Sequence, residues 1–195
     1  MDTRLYVVSG FMRTGTSMMM ASLMAGGLEG VYRENREEMR KRFADEYYDP
    51  NSGGLFEMQR SDYNSPDFPN AYAGKLIKCL FGGLMKMREM PGGIRVVYMR
   101  RNEEEIRQSY MGFFGRNLKI ANLQKKMDLV RDKMKERSDM VSFHEFQMRN
   151  VVSSPRDHFQ ILADAGWPID VDLSACIVDP TQYRYRLENL TVGIV

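Results

Sequence analysis

The sequence predicts an α/β fold, with a mainly parallel sheet of about four or five strands and helices on both faces. Two observations predict it. Short apolar, β-branched runs alternate with longer helical patterns along the chain, which is the order of right-handed βαβ units. The first of these runs also passes through a glycine-containing turn directly into a helical pattern. No repeat, low-complexity segment or linker interrupts the alternation, so residues 1–195 are expected to form one domain.

The first strand, turn and helix are predicted at the start of the chain. The run at 5–9 is short and apolar and ends at Gly10, and the helical pattern at 16–25 ends at Gly26-Gly27. The turn between them has the spacing G-x-x-x-x-G-x-S of a phosphate-binding loop. Thr16, however, occupies the position where nucleotide-hydrolysing loops carry a lysine.

This turn has the residues of an anion site. Several backbone N–H groups and the positive end of a helix point at one place, where phosphate is the usual occupant. Gly10 and Gly15 permit close backbone approach, and Arg13 carries a planar, permanently charged fork. Hydroxyl donors are available at Thr14, Thr16 and Ser17. The alternative is an ordinary strand-to-helix turn that contains glycine.

The remaining elements follow in order. The charged segment at 33–44 predicts a polar helix, and the stretch at 49–70, rich in Gly, Pro, Asn and Ser, predicts a long loop. Strands are predicted at 75–80, 94–99 and 140–146, and helices from 103 to about 114, within 118–137 and from Pro155 to Gly166. Asn102 is the predicted cap of the first of these helices, with Glu105 as its capping-box partner. A short helix and an irregular tail end the chain.

The segment at 118–137 has a seven-residue repeat. Its apolar positions are Ile120, Leu123, Met127, Val130 and Met134. Two interpretations stay open over so short a repeat: a helix docked on its own domain, or the seam of a homodimer.

Composition narrows the class of protein. Lys and Arg total 28 against 26 Asp and Glu, and this net charge of +2 does not favour a dedicated nucleic-acid-binding protein. The two cysteines, Cys79 and Cys176, make no disulfide framework, and no Cys/His cluster has zinc spacing. Arg13 breaks the N-terminal apolar stretch, and no run reaches the ~18 apolar residues of a membrane span. A cytoplasmic protein is expected.

Basic residues lie at the ends of two predicted strands. Lys78 lies near the end of the second strand, and Arg100-Arg101 follow the third. A magnesium-dependent P-loop enzyme usually carries an acid at such a strand end, and Glu145 in the fourth strand is the candidate for this acid. The sequence therefore favours an anion neutralised by side chains, without a metal.

Three segments carry a resemblance to a known family. The segment VSGFMRTGTSMMMASLMAGGLE contains an arginine followed by Thr-Gly-Thr-Ser. The segment RVVYMRRNEEEIRQSY is a strand that ends in Arg-Asn, with Ser109 eight residues after Arg101. Together with the C-terminal ILADAGWPIDVDLSACIVDPTQYRYR, they resemble the sulfotransferases, most of all small bacterial or phage proteins of that family.

The resemblance implies a three-layer P-loop-type fold and a specific donor. That donor is 3′-phosphoadenosine-5′-phosphosulfate (PAPS), which the family generally uses without a metal and releases as the bisphosphate PAP. The resemblance implies that the loop amides hold the 5′-phosphosulfate together with Arg13, Gly15, Thr16 and Ser17. It implies that Arg101 and Ser109 hold the 3′-phosphate, so the glutamates after Asn102 must point away from it. The alternative for Arg101 is a surface ion pair with one of them.

Further candidates for the site lie outside the first two of these three segments. Lys78 corresponds to the lysine of the family's Lys-Thr-His segment, and an electrostatic role is expected for it. Leu80 replaces the histidine that is the base in many members. Other branches use a carboxylate, and Glu57 in GGLFE resembles their Gly-Tyr/Phe-Tyr/Phe-Glu segment, with Asp62 as the second candidate. Either acid is otherwise a solvated loop residue or a helix cap. Arg184 and Arg186 are candidates to close over the 3′-phosphate.

Three functions are consistent with these residues. The first is a PAPS-dependent sulfotransferase acting on a hydroxyl or amine of a small-molecule, sugar or lipid acceptor. The second is a P-loop nucleotide kinase or phosphotransferase, against which Thr16 argues. The third is a non-catalytic nucleotide-binding protein that keeps the anion pocket, which the missing histidine favours. Acceptor specificity is expected from the segment at 28–72.

Overall fold

The computed structural model of the protein describes residues 3–32 and 57–186. Its centre is a sheet of five strands: β1 (Leu5–Gly10), β2 (Gly30–Val31), β3 (Leu76–Lys78), β4 (Ile94–Arg100) and β5 (Met140–Gln147). Each neighbouring pair of strands is parallel, and the order across the sheet is β2-β3-β1-β4-β5. The predicted α/β class with a parallel sheet is confirmed.

Helices connect the strands. The α-helices of the described residues are α1 (Thr16–Ala25), α2 (Arg60–Asn64), α3 (Phe68–Tyr72), α4 (Phe81–Leu84), α5 (Glu103–Phe114), α6 (Leu123–Lys135), α7 (Met148–Ser153), α8 (Pro155–Asp164) and α9 (Val171–Cys176). A 3₁₀ helix follows at Pro180–Gln182. None of these helices combines the length and the apolar character that crossing a membrane requires.

The sheet is covered on both faces because its central strands are apolar on both. All six residues of β1 and all seven of β4 are buried. One core cluster contains Val7, Val96 and the inner side of α6, and the other contains Val8, Val97 and the inner sides of α1 and α8. Continuous apolar strands are what a parallel sheet enclosed by helices requires.

The apolar stripe of α6 packs into the protein's own core. Leu123, Met127, Val130 and Met134 are at most 2% exposed and belong to the first core cluster. The heptad pattern therefore reflects a docked helix, and these four positions are not available as a homodimer seam.

Several predicted elements are confirmed. The strands predicted at 5–9, 94–99 and 140–146 and the helices predicted at 16–25, from 103 and from Pro155 begin and end within about two residues of the observed bounds. The strand predicted at 75–80 is shorter, at Leu76–Lys78. The two-residue strand β2 and the short helix α7 are not predicted by the sequence.

Two predictions are wrong in part. The sequence predicts a loop through residue 70, but α2 and α3 lie in this stretch, because Gln59 and Asp62 form a capping box and Pro69 lies in the first turn of α3. Glu105 is not the capping-box partner of Asn102, whose side chain accepts a hydrogen bond from the Glu104 N–H instead. The predicted helix at 33–44 and the predicted loop up to residue 56 lie outside the described residues.

The strand order places a crevice beside the first loop. β1 connects towards β2 on one side of the sheet and β4 connects towards β5 on the other, so the connections diverge between β1 and β4. Ligands of open α/β sheets bind at such a point, outside the carboxyl ends of the strands. Gly10 ends β1 at this point, in register with Met99 of β4.

Candidate anion-binding and active site

The loop between β1 and α1 has an unusual backbone. Gly10, Arg13 and Gly15 all have positive φ angles, of 145°, 69° and 92°. A Cβ on Gly10 would lie 2.5 Å from the carbonyl oxygen of Met99, so only glycine fits beside β4. Arg13 is an uncommon residue for the left-handed region, and backbone strain of this kind concentrates at functional sites.

The amino end of α1 lies at this loop without a side-chain cap. Gly15 is its N-cap residue and makes no side-chain hydrogen bond. The N–H groups of the first turn are therefore available to an anion, which the helix dipole also attracts. The Thr14 hydroxyl donates to the carbonyl oxygen of Phe11 (2.6 Å), so this side chain supports the loop rather than facing a ligand.

Lys78 brings an ammonium group from β3 to the amino end of α1. Its Nζ donates to Ser17 Oγ (3.0 Å) across 61 residues of sequence. Burial lowers the pKa of Lys78 to about 8, the charge of Glu57 opposes this shift, and the charge of Arg13 adds to it. A cation thus reaches the loop although position 16 is threonine.

Arg13 points from the loop towards α5. Its Nε donates to Ser109 Oγ (3.0 Å), and its Cζ lies 4.8 Å from the ring centroid of Phe113. Its charge also lowers the pKa of Lys78, so the two cations act on one another. Positive groups from two separate elements therefore share the loop, an arrangement that a bound anion stabilises.

Arg101 is buried directly behind the loop. Its Nε donates to Glu105 Oε2 (3.0 Å), its Nη1 to the carbonyl oxygen of Arg13 (3.1 Å) and its Nη2 to that of Tyr185 (2.8 Å). The Tyr183 hydroxyl donates to the same oxygen of Glu105, and Arg101 lies over the Tyr183 ring. Because of burial first, and then the hydrogen bond and charge of Glu105, the pKa of Tyr183 rises to about 12.

The two residues predicted for the 3′-phosphate thus converge on Arg13. Arg101 contacts its carbonyl group and Ser109 contacts its guanidinium. The alternative for Arg101, a surface ion pair with one of the glutamates after Asn102, is right about the partner but not about the surface, because Arg101 pairs with Glu105 and both side chains are only 5% exposed. The expectation that these glutamates point away from the position predicted for the 3′-phosphate is therefore wrong for Glu105, which lies on the Nε side of Arg101.

Glu57 lies beside Lys78. The N–H of Met58 donates to the carbonyl oxygen of Lys78 (2.9 Å), which fixes the backbone of Glu57 at the end of β3. The charge of Glu57 raises the pKa of Lys78, so the two side chains interact. Asp62, the second candidate base, accepts the Gln59 N–H at Oδ2 (2.7 Å) and so serves as a helix cap.

The C-terminal candidates differ from one another. Arg184 is exposed, whereas Arg186 donates to the carbonyl oxygens of Tyr183 and Pro180. A cavity of about 380 Å³ lies beside Arg186, and its lining also includes Glu105, Arg149, Val152, Ser153, Pro180 and Tyr183. It is large enough for a small ligand.

The contacts of Arg100 and Glu145 are with each other and with α6, not with the anion loop. Arg100 donates to Asp128 and Gln124 of α6 (both 2.8 Å) and lies 3.6 Å from Glu145. The strand acid considered for magnesium is therefore next to an arginine. In the part of the chain that the structure describes, no group of three or more His, Cys, Asp or Glu side chains is arranged to hold a metal ion.

No protein-family model matches the sequence, and no curated protein matches it. Among solved structures, the chain is similar to an unliganded sugar kinase from Janibacter sp. HTCC2649, with 18% identity, 93% of this chain and 98% of that chain covered, and a TM-score of 0.45. It is also similar to sulfotransferase STF1 from Mycobacterium tuberculosis H37Rv, with 13% identity, 100% and 74% covered, and a TM-score of 0.49. At these values neither similarity assigns a function to the chain.

Three aromatic residues that contact Arg13 or Arg101 are not predicted from the sequence: Phe113, Tyr183 and Tyr185. The spacing of Arg101 and Glu105, four residues apart at the start of a helix, is a signal that could have found their pairing. The tyrosines gave no such signal, because more than 80 residues separate them from Arg101.

Proposed function

We propose that the protein is a sulfotransferase that moves a sulfuryl group from PAPS to a hydroxyl or amine acceptor. The convergence of Arg13 and Lys78 at the uncapped amino end of α1 carries the proposal. The transferring group and the phosphate that it leaves are both anionic, so two cations and a set of backbone N–H groups suit them. The resemblance of the three sequence segments to the sulfotransferases implies PAPS as the donor, and the position of Arg13 and Lys78 supports the proposal that the loop binds its phosphosulfate.

In the proposed reaction, the acceptor atom attacks sulfur in line with the bond to the leaving phosphate. A new bond from sulfur to the acceptor forms as the sulfur–oxygen bond to phosphate breaks, and the departing phosphate keeps the electron pair. Arg13 and Lys78 neutralise the charge that develops there, and the N–H groups of the loop hold the phosphate in place. Glu57 takes the proton from the acceptor.

We assign the 3′-phosphate to the region behind the loop. Arg101 and Ser109 are our candidates for its ligands, because both contact Arg13 and so lie together beside the loop. Arg184 is a further candidate for this phosphate. The neighbouring cavity of about 380 Å³ is our candidate for the nucleoside.

Phosphoryl transfer from a nucleoside triphosphate is a second candidate function. The contact between Lys78 and Ser17 favours it, because a P-loop kinase needs an ammonium group at its phosphates. This function also needs Mg²⁺ and an acid to hold it, and Glu145 lies 3.6 Å from Arg100.

Calorimetric titration separates the two functions. The protein is titrated with PAP in the absence of Mg²⁺, and in parallel with ADP and with ATP plus Mg²⁺. The sulfotransferase proposal expects binding of PAP without metal, weakened roughly 10- to 100-fold by Arg101→Ala because a charge-assisted contact is lost. If the protein binds ATP in the presence of Mg²⁺ but does not bind PAP, the sulfotransferase proposal is rejected and the kinase is supported.

Glu57→Gln separates an enzyme from a non-catalytic binding protein. The amide keeps the shape of the side chain but cannot accept the proton of the acceptor. We expect unchanged affinity for PAP within about two-fold and a rate of sulfuryl transfer reduced by 10²–10⁴. An unchanged rate would exclude Glu57 as the base, and binding of PAP without sulfuryl transfer by the unmodified protein would support a non-catalytic binding protein.

A further inference from the structure

Glu105 takes no part in the proposed chemistry, yet it is one of the most enclosed charged groups described. Over the whole residue, backbone and side chain together, Glu105 is 3% exposed, Arg101 is 6% exposed and Tyr183 is 5% exposed. A carboxylate buried to this degree is costly unless its charge and its hydrogen bonds are satisfied. Arg101 and the Tyr183 hydroxyl both donate to one oxygen of Glu105, which provides that satisfaction.

The geometry of Arg101 shows what this burial achieves. Its planar guanidinium has a fixed fork, so a contact at Nε determines where the two terminal nitrogens point. With Nε held by Glu105, Nη1 lies 3.1 Å from the carbonyl oxygen of Arg13. Arg13 is the residue of the anion loop with a φ of 69°, a conformation that persists only where surrounding contacts impose it.

We propose that Glu105 is a positioning residue for the anion loop. By orienting Arg101, it holds the carbonyl group of Arg13 and so keeps the loop in its binding conformation before a ligand arrives. Tyr183 connects the C-terminal segment to the same pair, so this segment takes part in holding the loop. The inference rests on the proposed function only in treating the loop as an anion site, and it does not require sulfuryl transfer.

The opposite role for Glu105 makes an opposite prediction. If Arg101 acts only as a phosphate ligand, the carboxylate 3.0 Å from its Nε repels the phosphate and competes for the guanidinium. Removing the charge of Glu105 then strengthens binding. If Glu105 positions the loop, removing its charge weakens binding.

Helix α5 provides a matched control. Glu103 also pairs with an arginine four residues from it, Arg107, at 2.5 Å, but both side chains are about 30% exposed. Arg107 donates to the carbonyl oxygens of Leu118 and Ile120, away from the anion loop. Glu103→Gln therefore makes the same chemical change on the same helix without touching the contacts of Arg13.

The test compares Glu105→Gln with Glu103→Gln and with the unmodified protein. Amide hydrogen exchange at 10–17, measured without ligand, is expected to be on the order of ten-fold faster in Glu105→Gln only, with exchange at 5–8 unchanged. Affinities for inorganic pyrophosphate, which probes the loop alone, and for PAP are expected to fall by a similar factor. Exchange at 10–17 unchanged relative to Glu103→Gln, or tighter binding of either ligand, would overturn the proposal.

Tyr183→Phe keeps the inference testable if Glu105→Gln does not fold. It removes one of the two hydrogen bonds to Glu105, and a two- to three-fold increase in exchange at 10–17 is expected; no increase would contradict the proposal. Failure of the sulfotransferase proposal has a separate signature, in which the unmodified protein binds pyrophosphate but not PAP. If it binds neither, the exchange experiment alone decides the role of Glu105.

Discussion

Lys78 is a proposed ligand of the anion, and its charge depends on pH. Its pKa is lowered to about 8, mainly by burial, whereas an anion at the loop favours the charged ammonium and raises the pKa again. Lys78 is therefore charged below pH 8, and above it binding of an anion must also take up a proton. Affinity for PAP is expected to fall by up to ten-fold per pH unit above pH 8, a range in which phosphates with a pKa of about 6 no longer titrate.

Titrations of the unmodified protein and of Lys78→Met between pH 7 and pH 9.5 check this prediction. The variant is expected to bind PAP more weakly at pH 7 and to show no decline from pH 8 upward. A decline of equal slope in both proteins would mean that another group titrates.

Substitution of Gly10 tests whether binding of PAP requires the close approach of the loop to β4. Gly10→Ala places a Cβ 2.5 Å from the Met99 carbonyl oxygen and also strains a φ of 145°, whereas Gly27→Ala strains a φ of 111° with no atom within 4 Å. Both changes are expected to cost about 1–3 kcal/mol of stability through strain. Only Gly10→Ala should also abolish binding of PAP, and equal affinities in the two variants would show that the approach to β4 does not matter.

Among the elements, β4, β5 and α8 meet at a buried polar cluster. Arg95 of β4 donates to the carbonyl oxygen of Ala165, just after α8, and faces His144 of β5. Burial, and then the charge of Arg95, lower the pKa of His144 below its ordinary value of 6.5. The unfolded chain therefore binds more protons than the folded protein once the pH falls below 6.5, so stability is lost as the pH decreases through that range.

Urea unfolding at pH 7.5 and pH 5 measures this effect. His144→Gln cannot take up the proton, so its stability is expected to change less between the two pH values than that of the unmodified protein. His158→Gln is the control, because His158 lies on α8 and its ring contacts the carbonyl oxygen of Ser154, the N-cap residue of that helix. If His158→Gln changes the pH dependence more than His144→Gln, the assignment is wrong.

The elements differ in how well the sequence predicts them. β1 and β4 are predicted because each is a continuous apolar run, and burial on both faces requires that composition. β2 has two residues, too few for any period, and α7 follows β5 with no turn residue between them. The capping box of α2 lies in a segment whose Gly, Pro and Asn content favours a loop, so local hydrogen bonds overrode composition there.

The sequence proposes candidate residues for the site but not the contacts between them. Gly10, Arg13 and Lys78 are identified from spacing and resemblance, because loop chemistry is local in sequence. Their partners are not, since Arg13 reaches Ser109 across 96 residues and Lys78 reaches Ser17 across 61. Such contacts depend on strand order, and the sequence did not predict that β3 and β4 flank β1.

At the scale of the whole molecule, one sheet separates two hydrophobic cores. Ile106 of α5 is fully buried in one, and Leu162 of α8 is fully buried in the other. Both cores share β1 and β4, so the prediction of a single domain requires that they unfold together. Ile106→Val is expected to cost about 0.5–1.5 kcal/mol and Leu162→Ala about 2–5 kcal/mol, from lost burial and cavity formation.

Because the sheet keeps these two side chains apart, their effects are expected to add within about 0.5 kcal/mol in the double variant. Urea unfolding followed by fluorescence of Trp167, which lies in the core of Leu162, and by circular dichroism measures both points. If both probes report one coincident transition and the losses in unfolding free energy add, the protein is one cooperative domain in which the two cores do not affect one another's packing. Two separate transitions would instead show that each core folds with its own helices, and that the central strands do not couple them.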